Sequence, residues 1–193
     1  NFCDMAKKLS LYGQEREQSS LTDPLTGLAN RRSLEKDGSK VIEICRRSGV
    51  ACSCLVLDLD HFKHVNDTYG HQTGDVALLT VSTILKNNTR TSDICARFGG
   101  EEFTILASST TAEAAMCLAE KIRAEVEKTP IIHGALTFNI TVSIGVAEIL
   151  QENHSPSSAL EEGIRAADCA MYPAKKTGRN RAVPWSCEQS GPA

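Results

Sequence analysis

The sequence predicts an α+β fold, a mostly antiparallel central sheet flanked by helices. Three observations carry that class. Arg97 to Leu106 places apolar runs on both sides of Gly99-Gly100, the pattern of a tight β-hairpin whose turn wants positive φ at both glycines. Leu136, Phe138, Ile140, Val142, Ile144 and Val146 alternate, as a half-buried strand does. Helical stripes fall before, between and after them, so hairpin-paired strands are mixed with helices.

At 193 residues the chain suits one domain of ordinary size with appendages at its ends. A hydrophobic share of 41% against 23% charged residues excludes a disordered chain, and no apolar run approaches the roughly 20 residues of a membrane span. The net charge of −3 offers no broad footprint for nucleic acid, so a polyanionic ligand must be held locally. Eight cysteines are scattered without zinc spacing and read as small buried hydrophobes in a reducing, cytoplasmic compartment. A full-length protein could still be membrane-anchored through segments outside this sequence.

Taken in order, residues 1–20 put Phe2, Met5, Leu9 and Tyr12 at a/d spacing, either the end of a paired signalling stalk or a helix capping the core. Asp23-Pro24 and Thr26-Gly27 end it as turn signals. Asn30 is an N-cap for a helix from about Arg31 to Arg47, with Leu34, Val41 and Cys45 on one face and Gly49 as its stop. Ala51 to Asp60 is a buried strand that ends in acid. Asp58 and Asp60 leave it on the same face, and a carboxylate there needs a divalent cation, or a lysine or arginine, to offset its burial.

His61 to Tyr69 reads as a short helix closed by Gly70, supplying Lys63 and the amide of Asn66. Gly74-Asp75 opens the next helix, with Asp75 in the first turn and Ala77, Leu78, Val81, Ile84 and Leu85 as its apolar stripe. Arg90-Thr91-Ser92-Asp93 precedes the hairpin. Thr110 to Glu113 has capping-box spacing ahead of a helix striped by Ala115, Leu118, Ala119, Ile122 and Val126. The alternating strand then runs from Leu136 through Ala147, where Gly145 marks a bulge or a close backbone approach. Ser155-Pro156 starts the last long helix, which leads to Lys175 and Arg179 beside Gly178. From Pro184 the chain is rich in Pro, Ser and Gly and is expected to fray. The domain boundaries are therefore 1–20, 21–183 and 184–193.

Asp58 at a strand end and Glu101 just after the hairpin turn converge if their strands are neighbours. Two or three carboxylates, the carbonyl of Leu59 and phosphate oxygens suit magnesium, which keeps few protein ligands. Gly99 and Gly100 let a phosphate approach the backbone. Lys63, Lys175 and Arg179 can hold the remaining phosphate charge, and Asn66 with Asp75 can read a base with donor and acceptor edges, as guanine has. These parts describe metal-dependent nucleotidyl transfer and leave the substrate open.

Asp58-Leu59-Asp60-His61-Phe62-Lys63, Asn66-Asp67, Gly70-His71, Gly74-Asp75, Arg97 through Phe103, Ser143 through Ala147 and Lys175 through Asn180 together resemble the GGDEF domain of diguanylate cyclases, as does Asp23 through Arg32. The resemblance covers about residues 20 to 183, with its motifs in order. It implies a fold like the palm of nucleotide polymerases and class III nucleotidyl cyclases, and condensation of two GTP into cyclic di-GMP and two pyrophosphates by a homodimer of half-sites. It further implies magnesium or manganese held by Asp58, the carbonyl of Leu59 and Glu101, with Glu102 assisting at the metal or the attacking hydroxyl. Asn66 and Asp75 take the guanine, and Lys63, Lys175 and Arg179 the phosphates. Arg90 and Asp93 fall where many members carry an inhibitory Arg-x-x-Asp site for the product. An upstream regulatory or sensor domain is expected. Glu101 stands where the family name has Asp, keeping the carboxylate. Pro173 departs from the pattern, and a kink there would shift Lys175 and Arg179. The alternative is a catalytically silent GGDEF module that binds GTP or cyclic di-GMP as a receptor; a polymerase-like palm acting on nucleic acid is disfavoured by the acidic charge.

Overall fold

The computed structural model describes residues 21–150 and 155–186; the stalk expected over 1–20 lies outside them. Among the described residues eight strands and five helices follow in chain order: β1 (Ala29–Asn30), α1 (Arg31–Ser48), β2 (Cys52–Leu59), α2 (Phe62–Tyr69), α3 (His71–Asn88), β3 (Ile94–Gly99), β4 (Glu102–Ser108), α4 (Ala112–Lys128), β5 (Ile131–His133), β6 (Leu136–Phe138), β7 (Val142–Glu148), α5 (Pro156–Lys176) and β8 (Ala182–Pro184). Six strands form one sheet in the order β1-β3-β4-β2-β7-β8. Its four central strands pair antiparallel, and the short edge strands β1 and β8 add in parallel. The expected class holds.

Burial explains the layering. Every residue of β2 is buried, because the strand lies at the sheet's centre with helices over both faces. Leu55, Leu57 and Leu59 point into one core with Phe103, Ile105 and Ile122, under α2, α3 and α4. Cys52, Cys54 and Val56 point into the other with Leu34, Leu106 and Leu160, under α1 and α5. Asn30 caps α1 by accepting from the amide of Ser33, and Gly49 ends it at φ 64°. Ser155 and Pro156 begin α5 as the sequence implied, and the cap of α4 falls on Thr111, one residue after the capping-box spacing.

Four expectations are corrected. The strand read as Leu136 to Ala147 is two: β6 pairs with β5 in a separate hairpin, and only β7 joins the main sheet. Alternation reports which side of a chain is covered, not which strand it pairs with. Second, α3 begins at His71 rather than at Gly74, because Gly70 at φ 83° both closes α2 and opens α3; Asp75 therefore lies beyond the first turn. Third, the hairpin loop is Gly100-Glu101 rather than Gly99-Gly100. The register shifts between Arg97 and Gly99, Gly99 pairs with Glu102, and Gly100 alone of the two glycines takes positive φ, at 50°. Fourth, the start of the expected tail is tied down: Pro184 pairs with Val146, and Trp185 donates its amide to Val146 and packs on the core, while the rest of the tail, 187–193, lies outside the described residues.

Gly145 is the close approach that places α5. A Cβ there would overlap the carbonyl of Ala167, so the helix backbone rests directly on β7. The same helix runs through Pro173 to Lys176.

Candidate active site

Sheet register builds the centre of the site. Asp58, the penultimate residue of β2, stands opposite Glu102 on β4 and opposite Ser143 on β7. Residues directly across an antiparallel pair share a face with Cβ atoms about 4.5–5.5 Å apart. The register thus sets two carboxylates side by side, and Glu101 follows one residue away in the turn. Because α5 is seated on Gly145, its last turn carries Lys175 to Asp58, Nζ to Oδ2 at 2.8 Å. Asp58 is largely buried, and Lys175 remains about one-third exposed.

The electrostatics follow from this crowding. Burial pushes the Asp58 carboxyl above its ordinary range; the hydrogen bond and charge of Lys175 oppose the shift without cancelling it, and Asp60 and Asp168 add to it. Glu101 and Glu102 are raised by burial first and then by the Asp58 charge, and Asp168 acts further on Glu102. All three carboxylates are better served by more positive charge than one ammonium supplies.

No three His, Cys, Asp or Glu side chains among the described residues are gathered tightly enough to make a metal cage. The donors present fit a hard cation of the other kind, one that draws on one or two carboxylates and completes its shell with a carbonyl, water and ligand oxygens. Neither glycine of the hairpin has any atom near the place a Cβ would occupy, so the backbone beside Glu101 is open to close approach.

The hairpin is braced from outside. Arg97 donates to the carbonyl of Gly100 from Nε at 2.9 Å and from Nη2 at 2.6 Å, and Nη1 reaches Asp23 Oδ2 at 3.2 Å. Asp23 also accepts from the amide and hydroxyl of Thr26. Burial opposes ionisation of Asp23, but these hydrogen bonds and the Arg97 charge outweigh it and hold the carboxyl below its ordinary range. The turn motif at Asp23-Pro24-Leu25-Thr26 thereby fixes the tip that carries Glu101, a role that turn chemistry alone did not reveal.

Asn66 and Asp75 lie on the neighbouring helices α2 and α3. Gly74 leaves room for the Asn66 side chain, because a Cβ there would overlap Oδ1. Lys63 and Asp75 are exposed, on the same two helices. Arg179 sits beyond α5 in a turn where Gly178, Arg179 and Asn180 all have positive φ.

Asp60 explains how that strained turn is held. It is 3% exposed, and beyond its charge on Asp58 its bonds run to the neighbouring strand and the turn. Its Oδ1 accepts from Ser143 Oγ at 2.7 Å, and its Oδ2 accepts from Thr141 Oγ1 at 2.7 Å and from the amide of Asn180 at 3.0 Å. The Asn180 side chain bonds both Arg123 and Glu127 of α4. The second acid of the Asp58-Leu59-Asp60 run is a positioning residue, and hydroxyls at Thr141 and Ser143 were its sequence signal.

Arg90 and Asp93 lie at the far end of the hairpin from Gly100, about 20 Å away by the length of β3. Asp93 accepts from the amide of Arg90 at 2.8 Å and from the amide of Ser108 at 3.1 Å, while the Arg90 residue is exposed. They are not brought to the carboxylates. Lys63 and Asn66 lie on α2, Asp75 on α3 and Arg179 in the turn beyond α5, while Asp58, Glu102 and Lys175 are brought together with Glu101 one residue away in the hairpin loop.

Residues 20–181 match the family described as Diguanylate cyclase, GGDEF domain. Among curated relatives, Diguanylate cyclase A of Treponema denticola is 45% identical over 129 residues, 67% of this chain and 34% of its own length. The chain spans only 26% to 36% of the first such relatives. Among solved structures, the coiled coil and GGDEF domain of DgcB from Caulobacter crescentus, in complex with c-di-GMP, aligns at TM-score 0.77 with 30% identity over 94% of each chain. The active GGEEF domain of a diguanylate cyclase from Vibrio cholerae aligns at TM-score 0.75 with 32% identity, over 82% of this chain and 98% of that one.

Proposed function

The chain belongs to the GGDEF family of diguanylate cyclases, and from that membership we propose that it condenses two GTP molecules into cyclic di-GMP, releasing two pyrophosphates. The observation that carries the proposal is the carboxylate pair Asp58 and Glu102 set opposite each other, with Glu101 at the turn tip and Lys175 beside them. The intact carboxylates Asp58, Glu101 and Glu102 favour the cyclase over a silent receptor.

Asp58, the Leu59 carbonyl and Glu101 would hold magnesium or manganese, which supplies charge neutralisation and polarisation of the phosphates when bound. Asn66 and Asp75 bind the guanine edge, and Gly74 sets the Asn66 amide. Lys63, Lys175 and Arg179 bind phosphate oxygens, with the open backbone of Gly99 and Gly100 alongside. Each domain presents one nucleotide to a second copy. The 3′-oxygen of one GTP forms a bond to the α-phosphorus of the other as the bond from that phosphorus to the β-phosphate oxygen breaks and pyrophosphate leaves. Glu102, with its raised affinity for a proton, accepts the hydroxyl proton. A second such step closes the ring. Product binding at Arg90 and Asp93 slows the reaction from a distance, and an upstream sensor domain sets the pairing of copies.

The test is incubation of the purified chain with GTP and magnesium over a range of protein concentrations, followed by separation of the nucleotides. Cyclic di-GMP should form at a rate rising faster than linearly with protein, and Glu101→Gln should abolish it with the fold intact. Tight binding of cyclic di-GMP with no turnover at any concentration would replace the cyclase by a receptor.

A further inference from the structure

The β5–β6 hairpin is separate from the main sheet, yet it is fastened to the junction of α2 and α3 at three points. Ile131 is 1% exposed, in the core that those helices cover. The Phe138 ring stacks on Tyr69, the last residue of α2, with centroids 5.2 Å apart and planes inclined by 20°. The third tie is polar: His133 Nδ1 lies 2.9 Å from the hydroxyl of Thr73, in the first turn of α3. Thr73 is 1% exposed, and its hydroxyl also lies 2.8 Å from the carbonyl of Tyr69. A hydroxyl has one proton and a carbonyl only accepts. Both bonds form together when Thr73 donates to Tyr69 and accepts from His133, which assigns the imidazole a proton on Nδ1. One buried hydroxyl then joins the end of α2, the start of α3 and the hairpin.

That junction sits between the two side chains assigned to guanine. Asn66 lies three residues before Tyr69, and its carbonyl accepts from the amide of Gly70 at 2.9 Å. The carbonyl of Gly70 accepts in turn from the amides of Thr73 at 3.1 Å and Gly74 at 3.2 Å. Gly74, next to Thr73, leaves the space that Asn66 Oδ1 fills, and Asp75 follows it. The two helices meet at Gly70, at φ 83°, a hinge whose backbone has no Cβ to hold it in one setting. What holds the angle must come from outside the hinge.

We infer that His133 is a positioning residue for nucleotide selection. Its bond to Thr73 fixes the angle between α2 and α3, and with it the spacing of Asn66 and Asp75 along the guanine edge; this rests on the reading of those two side chains as the base site. An ionised carboxylate only accepts, so Asp75 takes N–H groups of the base, while the Asn66 amide can meet a base acceptor. Two contacts to one rigid base need their protein partners held at a set separation. A hinge free to turn makes one contact and misses the other, or gives up affinity to be ordered on binding. The hairpin, which adds no strand to the main sheet, thereby serves the selectivity of a site that it does not line.

The probe is a GTP analogue with a methylene group between its α- and β-phosphates, which cannot release pyrophosphate, so calorimetry with magnesium present reads binding apart from turnover. Its inosine counterpart lacks the 2-amino donor of guanine. His133→Phe keeps a ring and removes the N–H. Its affinity for the guanine analogue should fall about 3- to 10-fold, the scale of one hydrogen bond, and its preference for guanine over inosine should shrink. His133→Asn carries an N–H three bonds from Cα, as Nδ1 is, and should restore both. Thr73→Val has no hydroxyl to meet, so adding His133→Phe to it should cause no further loss. An equal fall for both analogues, no recovery with asparagine, or an additive loss on Thr73→Val would overturn the proposal. Asn66→Ala separates it from the base-site reading: that variant should lose the guanine preference, and if it binds both analogues as the parent does, the base site is misassigned and the proposal falls with it.

Discussion

Asp58 stands directly across the β2–β4 ladder from Glu102. Like charges opposed in this way work against the sheet that places them, by about 0.2–1 kcal/mol. Burial and Asp58 lift the Glu102 carboxyl above its ordinary range, so ionised Glu102 costs stability. A raised folded-state value means that the favourable contribution is present below the unfolded carboxyl range and is lost as pH rises through the folded one. Glu102→Gln is therefore expected to raise Tm by about 1–3 °C at neutral pH, and the gain should vanish toward pH about 4. Thermal melts of both proteins across pH, with chelator present, test this; a gain that grows on acidification would contradict it.

Lys175 partly offsets the charge of Asp58, to which it is joined at 2.8 Å. Asp58 is still raised, by burial first, with Lys175 opposing. In Lys175→Met the carboxyl should rise further, so the variant's deficit is greatest at neutral pH and shrinks as Asp58 is protonated. Because Lys175 is partly exposed, the loss should be about 1–2 kcal/mol, below that of a fully buried pair. Carboxyl carbon titration of Asp58 and denaturant melts at two pH values would read both effects, and a pH-independent loss would assign Lys175 to packing alone.

Much of this site was legible in the sequence, for particular reasons. Asp58 and Glu101 were visible because acids interrupt apolar strand patterns, a cost that asks for a partner. Gly145 was visible as a close approach, since a glycine inside a strong strand pattern has few other uses. Other relationships lie between distant segments and leave no periodic trace. Asp23 meets Arg97 across 74 positions, and Asp60 meets the amide of Asn180 across 120. The loop shift to Gly100-Glu101 depended on a bulge at the Arg97–Gly99 step, which two consecutive glycines do not disclose. The β5–β6 hairpin was missed because Ile131 to His133 is too short to show a period.

Arg90 presents an exposed residue beside Asp93, whose carboxylate is fixed by the Arg90 and Ser108 amides. If cyclic di-GMP is recognised there, Arg90→Ala should leave the initial rate unchanged and keep the progress curve linear as product accumulates, where the parent curve bends. Identical curvature in the two proteins would remove Arg90 from feedback. The distance of about 20 Å from Gly100 separates this effect from a direct one on the reacting groups.

Asp60 gives the most demanding prediction, because its part is to hold a turn and not to touch a nucleotide. Three residues of positive φ follow one another at Gly178, Arg179 and Asn180, and non-glycine residues adopt that backbone only when their surroundings enforce it. The enforcing bonds are Asp60 to the Asn180 amide, and Arg123 and Glu127 to the Asn180 side chain. Asp60→Ala leaves the Asn180 amide and the hydroxyls of Thr141 and Ser143 without their acceptor. A loss of about 2–4 kcal/mol is expected, with faster hydrogen exchange at Asn180 than the global loss accounts for. Asp60→Asn can keep its oxygen toward Thr141 and Asn180 and donate to the Ser143 hydroxyl, so it should recover most of that loss. Since Arg179 rides on the turn, KM for GTP should rise in Asp60→Ala by a larger factor than kcat falls, and Asp60→Asn should restore KM. Equal effects on both constants, unrelieved by asparagine, would mean that Asp60 acts on the reacting centre itself.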